Sequence, residues 1–325
     1  MIVNDPVYGR QQITDPLALE LINTPQMQRL KGVNQYGIWN LLDEKYFTSR
    51  FDHCLGVYFL LRKLGASRQE QIAGLLHDIA HTAFSHVVDY VFDDAVSQTV
   101  HETFHEKVIF GSEIPRILQR NGMDAAVIID EKKFNILERD MPNLCADRVD
   151  YFLRDSLLVG VCSTTEVQSI VNSLTVHDEE IMLNSAEVAA LMASKFIEMG
   201  NTFWASHVQA GSYHLMGNIL KDALRRKSIT ENDFFLTDAE LLHKLRGDSL
   251  ACRELQRIGY SSIQPGTESD YTYHAKTKAR YVDPKVVYNG AVQRVTDLVP
   301  EISATIDGFR KRIAKGHFVK IAQAI

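Results

Sequence analysis

The sequence lacks the features that mark secreted and membrane proteins. Its four cysteines show no Cys-x-x-Cys spacing, which argues against a disulfide framework and favours a reducing compartment. No apolar run approaches the roughly 20 residues that span a bilayer. The first residues, MIVNDPVYGRQQ, do not have the charged and then apolar order of a signal peptide. We therefore expect a soluble, cytoplasmic protein that makes no membrane contact.

The chain also lacks an excess of basic charge. Its 325 residues carry a formal net charge of −6, so we expect no general field for polyanions, and nucleic acid is disfavoured as a partner. It has no repeat, no low-complexity segment and no linker rich in proline, glycine and serine. With 45% hydrophobic residues, it can form one large domain or two modest ones.

The sequence does contain several signals that are typical of helix ends. Asp15 followed by Pro16 is typical of a helix start. Ser67 and Glu70 predict a capping box that opens a helix over RQEQIAGLLHDIAH, residues 68–81. Most of the remaining segments show apolar residues at helical spacing, so the fold class predicted is mostly α.

The last hundred residues differ. Residues 271–288 alternate polar with aromatic or β-branched residues, as strands do. We predict a helical domain over residues 1–225 and a small α+β subdomain over 226–325, packed together as one continuous unit. On the predicted strand, Lys276, Lys278 and Arg280 would share one face. They could contact phosphate or nucleic acid, although such rows are more often solvated edges.

Histidine is the residue type with the most uneven distribution. Six of the twelve histidines fall within residues 53–105, and LLHDIAHTAFSH, residues 75–86, holds three of them. On a helix, His77 and His81 would lie about 40° apart, with Asp78 about 60° from His81. Titratable groups are costly to bury unless they are paired or bind a metal. The stretch is therefore either an unusual polar face or a site.

A second segment places charged side chains on one helix face. In CADRVDYFLRD, the face is formed by Asp147, Tyr151, Arg154 and Asp155. Two carboxylates joined by two imidazoles, one of them from His53, would suit a divalent ion such as Mn, Fe, Zn or Ni. Such an ion can activate water and neutralise phosphate charge. The plainer alternatives are hydrogen-bonded core groups and an ordinary ion-pair face.

These residues resemble the H…HD…D signature of the HD-domain metal-dependent phosphohydrolases. Five blocks resemble, in order and spacing, its dNTP triphosphohydrolase branch: IVNDPVYG, NTPQMQRLKGVNQYG, SRFDHCLGV, AGLLHDIAHTAFSH and DRVDYFLRD. KARYVDP, near the end, also resembles that branch. The resemblance covers most of residues 1–220 and implies an HD-domain helical bundle with a divalent metal (Mn, Fe, Zn, Ni, Co or Mg). It also implies a homo-oligomer, a dimer or a tetramer.

The resemblance implies a role for each matching residue. The metal ligands would be His53, His77, Asp78 and Asp147. The catalytic group would be His81, with His105 as second histidine and Asp89 as the orienting carboxylate. Arg50 would contact the α-phosphate, Arg148 would stand where the family has a phosphate-binding lysine, and the sugar would be held by Gln35, Tyr36, Tyr151 and Asp155. In the implied reaction, metal-activated water attacks the α-phosphorus and His81 protonates the leaving 5′-oxygen.

The chain departs from the family pattern in three places. Tyr36 replaces a leucine in the Q-L-G motif, which bears on sugar preference. Asn23 and Lys31 replace the Asp and Arg of the family's activator-site motif. Aligned on Gly-Asn-Ile, residues 217–219, the segment WASHVQAGSYHLMGNI has no Arg or Lys where the family has triphosphate contacts. Fewer cations should hold three phosphates less tightly.

The sequence is therefore compatible with three functions. The first is hydrolysis of deoxynucleoside triphosphates to deoxynucleoside and triphosphate. The second keeps the metal chemistry but takes a nucleoside monophosphate or another small phosphate ester. The third is a non-catalytic, nucleotide-binding regulator.

Overall fold

A computed structural model describes residues 1–92, 100–288 and 290–322, without the side chains of residues 100–103. The fold is mostly helical, with small sheets, as the sequence predicts. In the part of the chain that is described, no helix is both long and apolar enough to cross a membrane. His101, one of the six clustered histidines, has its side chain outside this description.

Among the described residues of the first half of the chain, the regular elements are helices apart from one amino-terminal hairpin. Its helices are α1 Pro16–Ile22, α2 Pro25–Arg29, α3 Trp39–Leu42, α4 Arg50–Lys63, α5 Arg68–Leu76, α6 Val87–Val91, α7 Val100–Phe110, α8 Ile114–Arg120, α9 Ala125–Ile128 and α10 Ala146–Val159.

The second half mixes helices with short strands. Its helices are α11 Thr164–Ser173, α12 Ala186–Met199, α13 His207–Arg225, α14 Asp238–Gly247, α15 Ser249–Leu255, α16 Val295–Leu298 and α17 Pro300–Lys315. One wide turn, Gly200–Trp204, has π-helical geometry and joins α12 to α13.

Three small sheets lie around this helical body. Their strands are β1 Ile2–Asp5, β2 Gly9–Gln12, β3 Leu174–His177, β4 Glu180–Leu183, β5 Ile263–Pro265, β6 Tyr273–Ala275, β7 Lys285–Tyr288, β8 Ala291–Arg294 and β9 His317–Ile321. The orders are β1-β2, β3-β4-β7-β8 and β5-β9-β6. The β4–β7 pair is parallel, with Leu183 opposite Val286, and the other pairs are antiparallel.

One large hydrophobic core runs through both halves, from Val7 to Ile313. A smaller cluster, which includes Ala210, Ile263 and Val319, packs the β5-β9-β6 sheet against α13. Residues on both sides of position 225 therefore share one core. The boundary of 1–225 and 226–325 remains a prediction.

The predicted helix starts are met in part. Asp15 caps α1 by accepting from Leu17 N at 2.9 Å, and Pro16 occupies the first helical position, which confirms that start. Ser67 caps α5 as expected. Glu70, however, does not complete a capping box, because its carboxylate accepts from the backbone N–H groups of Ile136 and Leu137. The sequence could not indicate this use, since the partners lie 66 and 67 residues away.

The prediction of a continuous helix over 68–81 is wrong. The helix ends at Leu76, and the chain turns through residues 77–86, with positive φ at Phe84 and Ser85. Arg29 supplies the reason, because its Nη2 donates to the carbonyls of Ile79 at 3.2 Å and His81 at 2.6 Å. A distant guanidinium thus satisfies carbonyls that a continuing helix would have paired.

The predicted strand over 271–288 is also wrong as a single element. Strands form at its two ends, β6 and β7, but residues 276–284 have no regular secondary structure. Lys276, Lys278 and Arg280 consequently do not share the face of a strand. The ends of the segment are drawn to different sheets, β6 to β9 and β7 to β4 and β8, which accounts for the break.

Helices α4 and α10 approach closely because of Gly56. A Cβ at this position would overlap the side chains of Arg154 and Asp150 on α10. Glycine therefore allows the two helices to meet where the first carries His53 and the second carries Asp147 and Asp150. The same contact sets the geometry of the candidate site.

Candidate functional site

Three lone-pair donors meet where α4, α5 and α10 converge. His53 lies in the first turns of α4, His77 directly follows α5, and Asp147 lies in the first turn of α10. His53 Nε2 is 3.0 Å from Asp147 Oδ1 and 3.2 Å from His77 Nε2. His77 Nε2 is 3.4 Å from the same carboxylate oxygen. We call these three residues the donor cluster.

Hydrogen bonds on the far sides of the two rings determine which nitrogen faces the cluster. His77 Nδ1 lies 2.8 Å from the carbonyl oxygen of Gly74, which can only accept, so this nitrogen carries the proton. His53 Nδ1 lies 2.7 Å from a carboxylate oxygen of Asp150. Both Nε2 atoms are then left with lone pairs that face Asp147. Such buried lone pairs repel one another unless a cation or a proton lies between them.

The electrostatics of the donor cluster favour positive charge. Burial lowers the pKa of His77, but the carboxylates of Asp78 and Asp147 outweigh this, and the net pKa is well above its usual value. The pKa of His53 is likewise raised, by Asp147 and Asp150 against burial. The pKa of Asp147 is lowered, since hydrogen bonds with both histidines outweigh burial. Two imidazoles and a carboxylate therefore fit a divalent cation.

Asp78, the fourth predicted ligand, lies at the edge of this cluster. Its two oxygens are each 3.6 Å from one imidazole, Oδ2 from His53 Nε2 and Oδ1 from His77 Nε2. Its nearer partners are Arg50, whose Nη1 donates to Oδ2 at 2.6 Å, and His81, whose Nε2 is 3.0 Å from Oδ1. Asp78 thus joins the donor cluster to a buried guanidinium.

Asp150 and Arg154 form a buried support behind His53. Arg154 donates to both oxygens of Asp150 at 3.1 Å and to Asp5 at 3.0 Å. The pKa of Asp150 is lowered because the Arg154 charge and the His53 hydrogen bond outweigh its burial. A carboxylate behind a ligating histidine fixes the ring and raises its basicity. Asp150 was not among the predicted site residues, although its position three residues after Asp147 could have suggested it.

The predicted catalytic residues are distributed around the cluster. His81 contacts Asp78, as described, and His105 Nε2 lies 3.3 Å from the carbonyl oxygen of Leu76. Asp89 lies 3.0 Å from Nδ1 of His86. His86 itself stands before α6, lines the cavity, and places its ring 5.0 Å from that of His81. His86 was not among the predicted site residues, and it lies beyond the helix predicted over residues 68–81.

The donor cluster lies in the wall of a cavity of about 1010 Å³. The volume corresponds to the upper range of small-molecule pockets. Twelve of the thirteen predicted site residues line this cavity, and Asp89 is the exception.

The sugar-side residues of the prediction meet at Asp155. Trp204 Nε1 donates to Asp155 Oδ2 at 2.7 Å, and Gln35 Nε2 lies 3.4 Å from Oδ1. Burial raises the pKa of Asp155 to about 7, against the effect of the Trp204 hydrogen bond. Tyr36 donates to Thr48 at 2.9 Å, and the ring of Tyr151 lies edge-on to Trp204. This end of the cavity is thus aromatic around one buried carboxyl group.

Arg148 lines the cavity but is occupied in holding a loop. Its Nη1 donates to the carbonyls of Arg139 at 2.9 Å and Asn143 at 2.8 Å, and its Nη2 donates to Glu138 at 3.3 Å. Segment 203–219 contributes Phe203, Trp204, Gln209 and Tyr213 to the cavity. None of these is a cation, in line with the sequence.

Comparison with known proteins finds a matching family model and several similar proteins. The family model described as "HD domain" matches residues 50–155. The chain is 35% identical to the uncharacterized protein YdhJ of Bacillus subtilis over 327 residues, 99% of each chain. It is 28% identical to the metal-dependent phosphohydrolase cns2 of Cordyceps militaris, covering 90% of this chain and 87% of that one.

A more distant similarity extends to a characterised activity. The chain is 23% identical over 382 residues to the chicken (Gallus gallus) deoxynucleoside triphosphate triphosphohydrolase SAMHD1. The match covers 92% of this chain and 60% of the chicken protein. The family-model match begins at Arg50 and ends at Asp155, two residues of the cavity wall.

Proposed function

Because the chain belongs to the HD-domain family of metal-dependent phosphohydrolases, we propose that it hydrolyses deoxynucleoside triphosphates at the α-phosphate. The products are a deoxynucleoside and triphosphate. The observation that carries the proposal is the donor cluster and the Arg50–Asp78 pair in one cavity wall, with the Asp155 group in the same cavity. The distant similarity to the chicken enzyme supports the choice of substrate.

The metal would be held by His53, His77 and Asp147, with Asp78 as the fourth ligand. When bound, a divalent cation supplies activation of water and neutralisation of phosphate charge. Asp150 holds the His53 ring through Nδ1, and the Gly74 carbonyl holds the His77 ring. These outer hydrogen bonds orient both rings before any ligand arrives.

Arg50 positions the reacting phosphate in this proposal. Its Nη1 is fixed on Asp78 and its Nε donates to Ser85 Oγ at 3.0 Å, so its plane is set by two buried partners. A guanidinium held in this way presents charge to a phosphate oxygen without reorganisation. In the same cavity, Asp155, Gln35 and Tyr151 would hold the sugar, and Tyr36 would close the space beside it.

Two histidines divide the proton transfers. The Nδ1 atom of His86 faces Asp89, and its pKa is lowered well below its usual value by burial and by the charges of Arg50 and Arg280. A neutral His86 oriented by Asp89 would accept a proton from water. His81 would donate to the leaving 5′-oxygen, and His105 would support it from the Leu76 side.

This division predicts different responses to a leaving group that needs no proton. We expect His81→Ala and His86→Ala each to lower kcat for dNTPs by about 10²–10⁴-fold. With the p-nitrophenyl ester of thymidine 5′-monophosphate, a nitrophenolate leaves unprotonated. The loss should then shrink in His81→Ala and persist in His86→Ala. Equal losses in both variants with both substrates would contradict the assignment.

A second candidate substrate is a nucleoside monophosphate or another small phosphate ester. Segment 203–219 brings the aromatic pair Phe203 and Trp204 to the cavity but no cation. The lack of cations there favours a substrate with fewer phosphates. Product analysis by anion exchange separates the candidates, using the four dNTPs and their monophosphates with Mn, Mg, Fe(II) or Co. Deoxynucleoside with intact triphosphate, absent in Asp78→Ala, supports the triphosphate reaction. Orthophosphate from monophosphates alone would contradict it.

Assembly and location are proposed on the same family basis. We propose a homo-oligomer, a dimer or a tetramer, located in the cytoplasm. All four cysteines are free, and Cys54, Cys145 and Cys162 are buried, which is compatible with a reducing compartment. Light scattering after size exclusion measures the assembly, and a monomer at micromolar concentration would contradict it.

A further inference from the structure

Segment 276–284, which has no regular secondary structure, is held firmly at both ends. Before it, Ala275 is fully buried and pairs with His317 in the sheet. After it, Val282 is fully buried, and the Asp283 N–H donates to the Pro142 carbonyl at 3.0 Å. The Asp283 carboxylate accepts from Thr296 Oγ1 at 2.8 Å. The residues between these anchors are therefore fixed in place without belonging to a sheet.

Two of the three cations in this segment line the cavity. Lys278 and Arg280 are part of its wall, together with Arg50, the donor cluster and Tyr151, whereas Lys276 is exposed and is not. Burial lowers the pKa of His86 and the charge of Arg280 adds to this effect, whereas burial raises the pKa of Tyr151 and the charge of Arg280 opposes it. The guanidinium therefore acts on two other parts of the cavity wall.

Four further cations, which come from other segments, also line the cavity. Arg50 pairs with Asp78, and Arg148 donates to two loop carbonyls and to Glu138. Arg139 lies 3.4 Å from a carboxylate oxygen of Glu180. Lys132 belongs to the wall formed by residues 130–140, which also brings the acids Asp130 and Glu131 to the cavity. Lys278 and Arg280 come from a different part of the wall, segment 276–284.

We propose that Lys278 and Arg280 bind the β- and γ-phosphates of the substrate and so replace the cations that segment 203–219 lacks. The inference rests on the proposed function, since it names the residues that would make the site specific for a triphosphate. Arginine can bind two phosphate oxygens at once, and lysine adds a mobile point charge. The positions of both are set by the anchors at Ala275 and Asp283.

The test measures binding of inorganic phosphates separately from turnover. Calorimetry in excess magnesium would compare tripolyphosphate with orthophosphate for Lys278→Ala, Arg280→Ala and the control Lys276→Ala. A lost charge-assisted contact should weaken tripolyphosphate binding about tenfold or more in each of the first two variants. The control and the affinity for orthophosphate should change less than about threefold. Arg280→Lys should recover only part of the loss, because lysine cannot bind two oxygens in the same plane.

Turnover then distinguishes this inference from the proposed function. We expect kcat/KM for dNTPs to fall at least tenfold more than kcat/KM for monophosphates in both variants. If the wild-type protein cleaves only monophosphates but binds tripolyphosphate through these two residues, the proposed substrate is wrong, and the inference stands only as the assignment of a polyphosphate-binding site. If it cleaves dNTPs and both folded variants keep tripolyphosphate affinity, the inference is wrong. A wild-type protein that does not bind tripolyphosphate would also overturn it. Circular dichroism checks that the variants fold. If Arg280→Ala does not fold, Lys278→Ala, which changes an exposed residue, still tests the inference.

Discussion

The two sides of the cavity are built in different ways. On one side, helices α4, α5 and α10 bring His53, His77 and Asp147 together, and buried partners hold each side chain. On the other side, an irregular segment carries Lys278 and Arg280 between two anchors. In the proposed function, the helical side has the groups that would perform the chemistry, and the irregular side has those that would select the phosphate chain. A fold divided in this way can keep its reaction while a loop changes its substrate.

The largest effect should come from removing the shared carboxylate of the helical side. Asp147→Ala leaves His53 and His77 without their common oxygen partner, so we expect loss of bound metal and a fall of more than about 10³-fold in kcat. Metal content by mass spectrometry and turnover of dNTPs measure both. Asp307→Ala, an exposed position on α17, is the control. Full metal content in Asp147→Ala would show that the donor cluster is not the metal site.

The next test disturbs the approach of the two helices. Gly56→Ala places a Cβ against Asp150 and Arg154, and we expect a loss of about 1–3 kcal/mol in the free energy of unfolding, with weaker metal binding. Gly308→Ala lies in α17, where a Cβ would meet nothing within 4 Å. It should be neutral or slightly stabilising. Urea unfolding compares the pair, and equal effects would mean that the close approach does not matter.

A smaller effect is expected from Asp150, which contacts the proposed metal ligand His53. Asp150→Asn keeps the shape but removes the charge that faces His53 Nδ1, so metal affinity should fall about 10–100-fold. Competition with a fluorescent chelator measures this affinity. On the irregular side, Lys278→Ala should leave metal affinity unchanged. If Lys278→Ala lowered metal affinity by the same factor as Asp150→Asn, the two sides would not differ in this respect.

The smallest effect concerns Asp238, which ties the loop before α4 to the turn after α5. Its carboxylate accepts from Asn34 N at 2.8 Å and Phe84 N at 2.7 Å, and burial raises its pKa to about 7. The unfolded chain ionises this group near pH 4, so folding loses stability as pH rises from about 4 to 7. In Asp238→Asn, this decline should be smaller. Urea unfolding across that pH range compares the two proteins. The same pH dependence of the free energy of unfolding in both would show that Asp238 is not the cause of the decline.

Among features that depend on neighbouring residues, the sequence predicted the start of α1, since Asp15 caps this helix as its position before Pro16 indicates. His53, His77 and Asp147 lie far apart in the chain, and their convergence was expected from the resemblance to the HD-domain family. Local capping leaves a trace in a short stretch of the chain, whereas the packing of distant helices does not.

What the sequence could not predict depends on distant partners. Arg29 ends the helix before His77 by taking carbonyls that lie 50 and 52 residues away. That turn brings His86 to the cavity, which a continuous helix did not suggest. The break of the strand over 271–288 comes from its pairing with two separate sheets. A single sequence gives the alternation of Lys278 and Arg280 but not the cavity that they face.

Hydrolysis of a dNTP in ¹⁸O-labelled water shows which phosphorus atom the water attacks. Attack at the α-phosphorus should place one labelled oxygen in the released triphosphate, since water joins the α-phosphorus and the 5′-oxygen leaves with the deoxynucleoside. Mass spectrometry of both products locates the label. Label in the deoxynucleoside, or in orthophosphate released beside a dNDP, would rule out attack at the α-phosphorus.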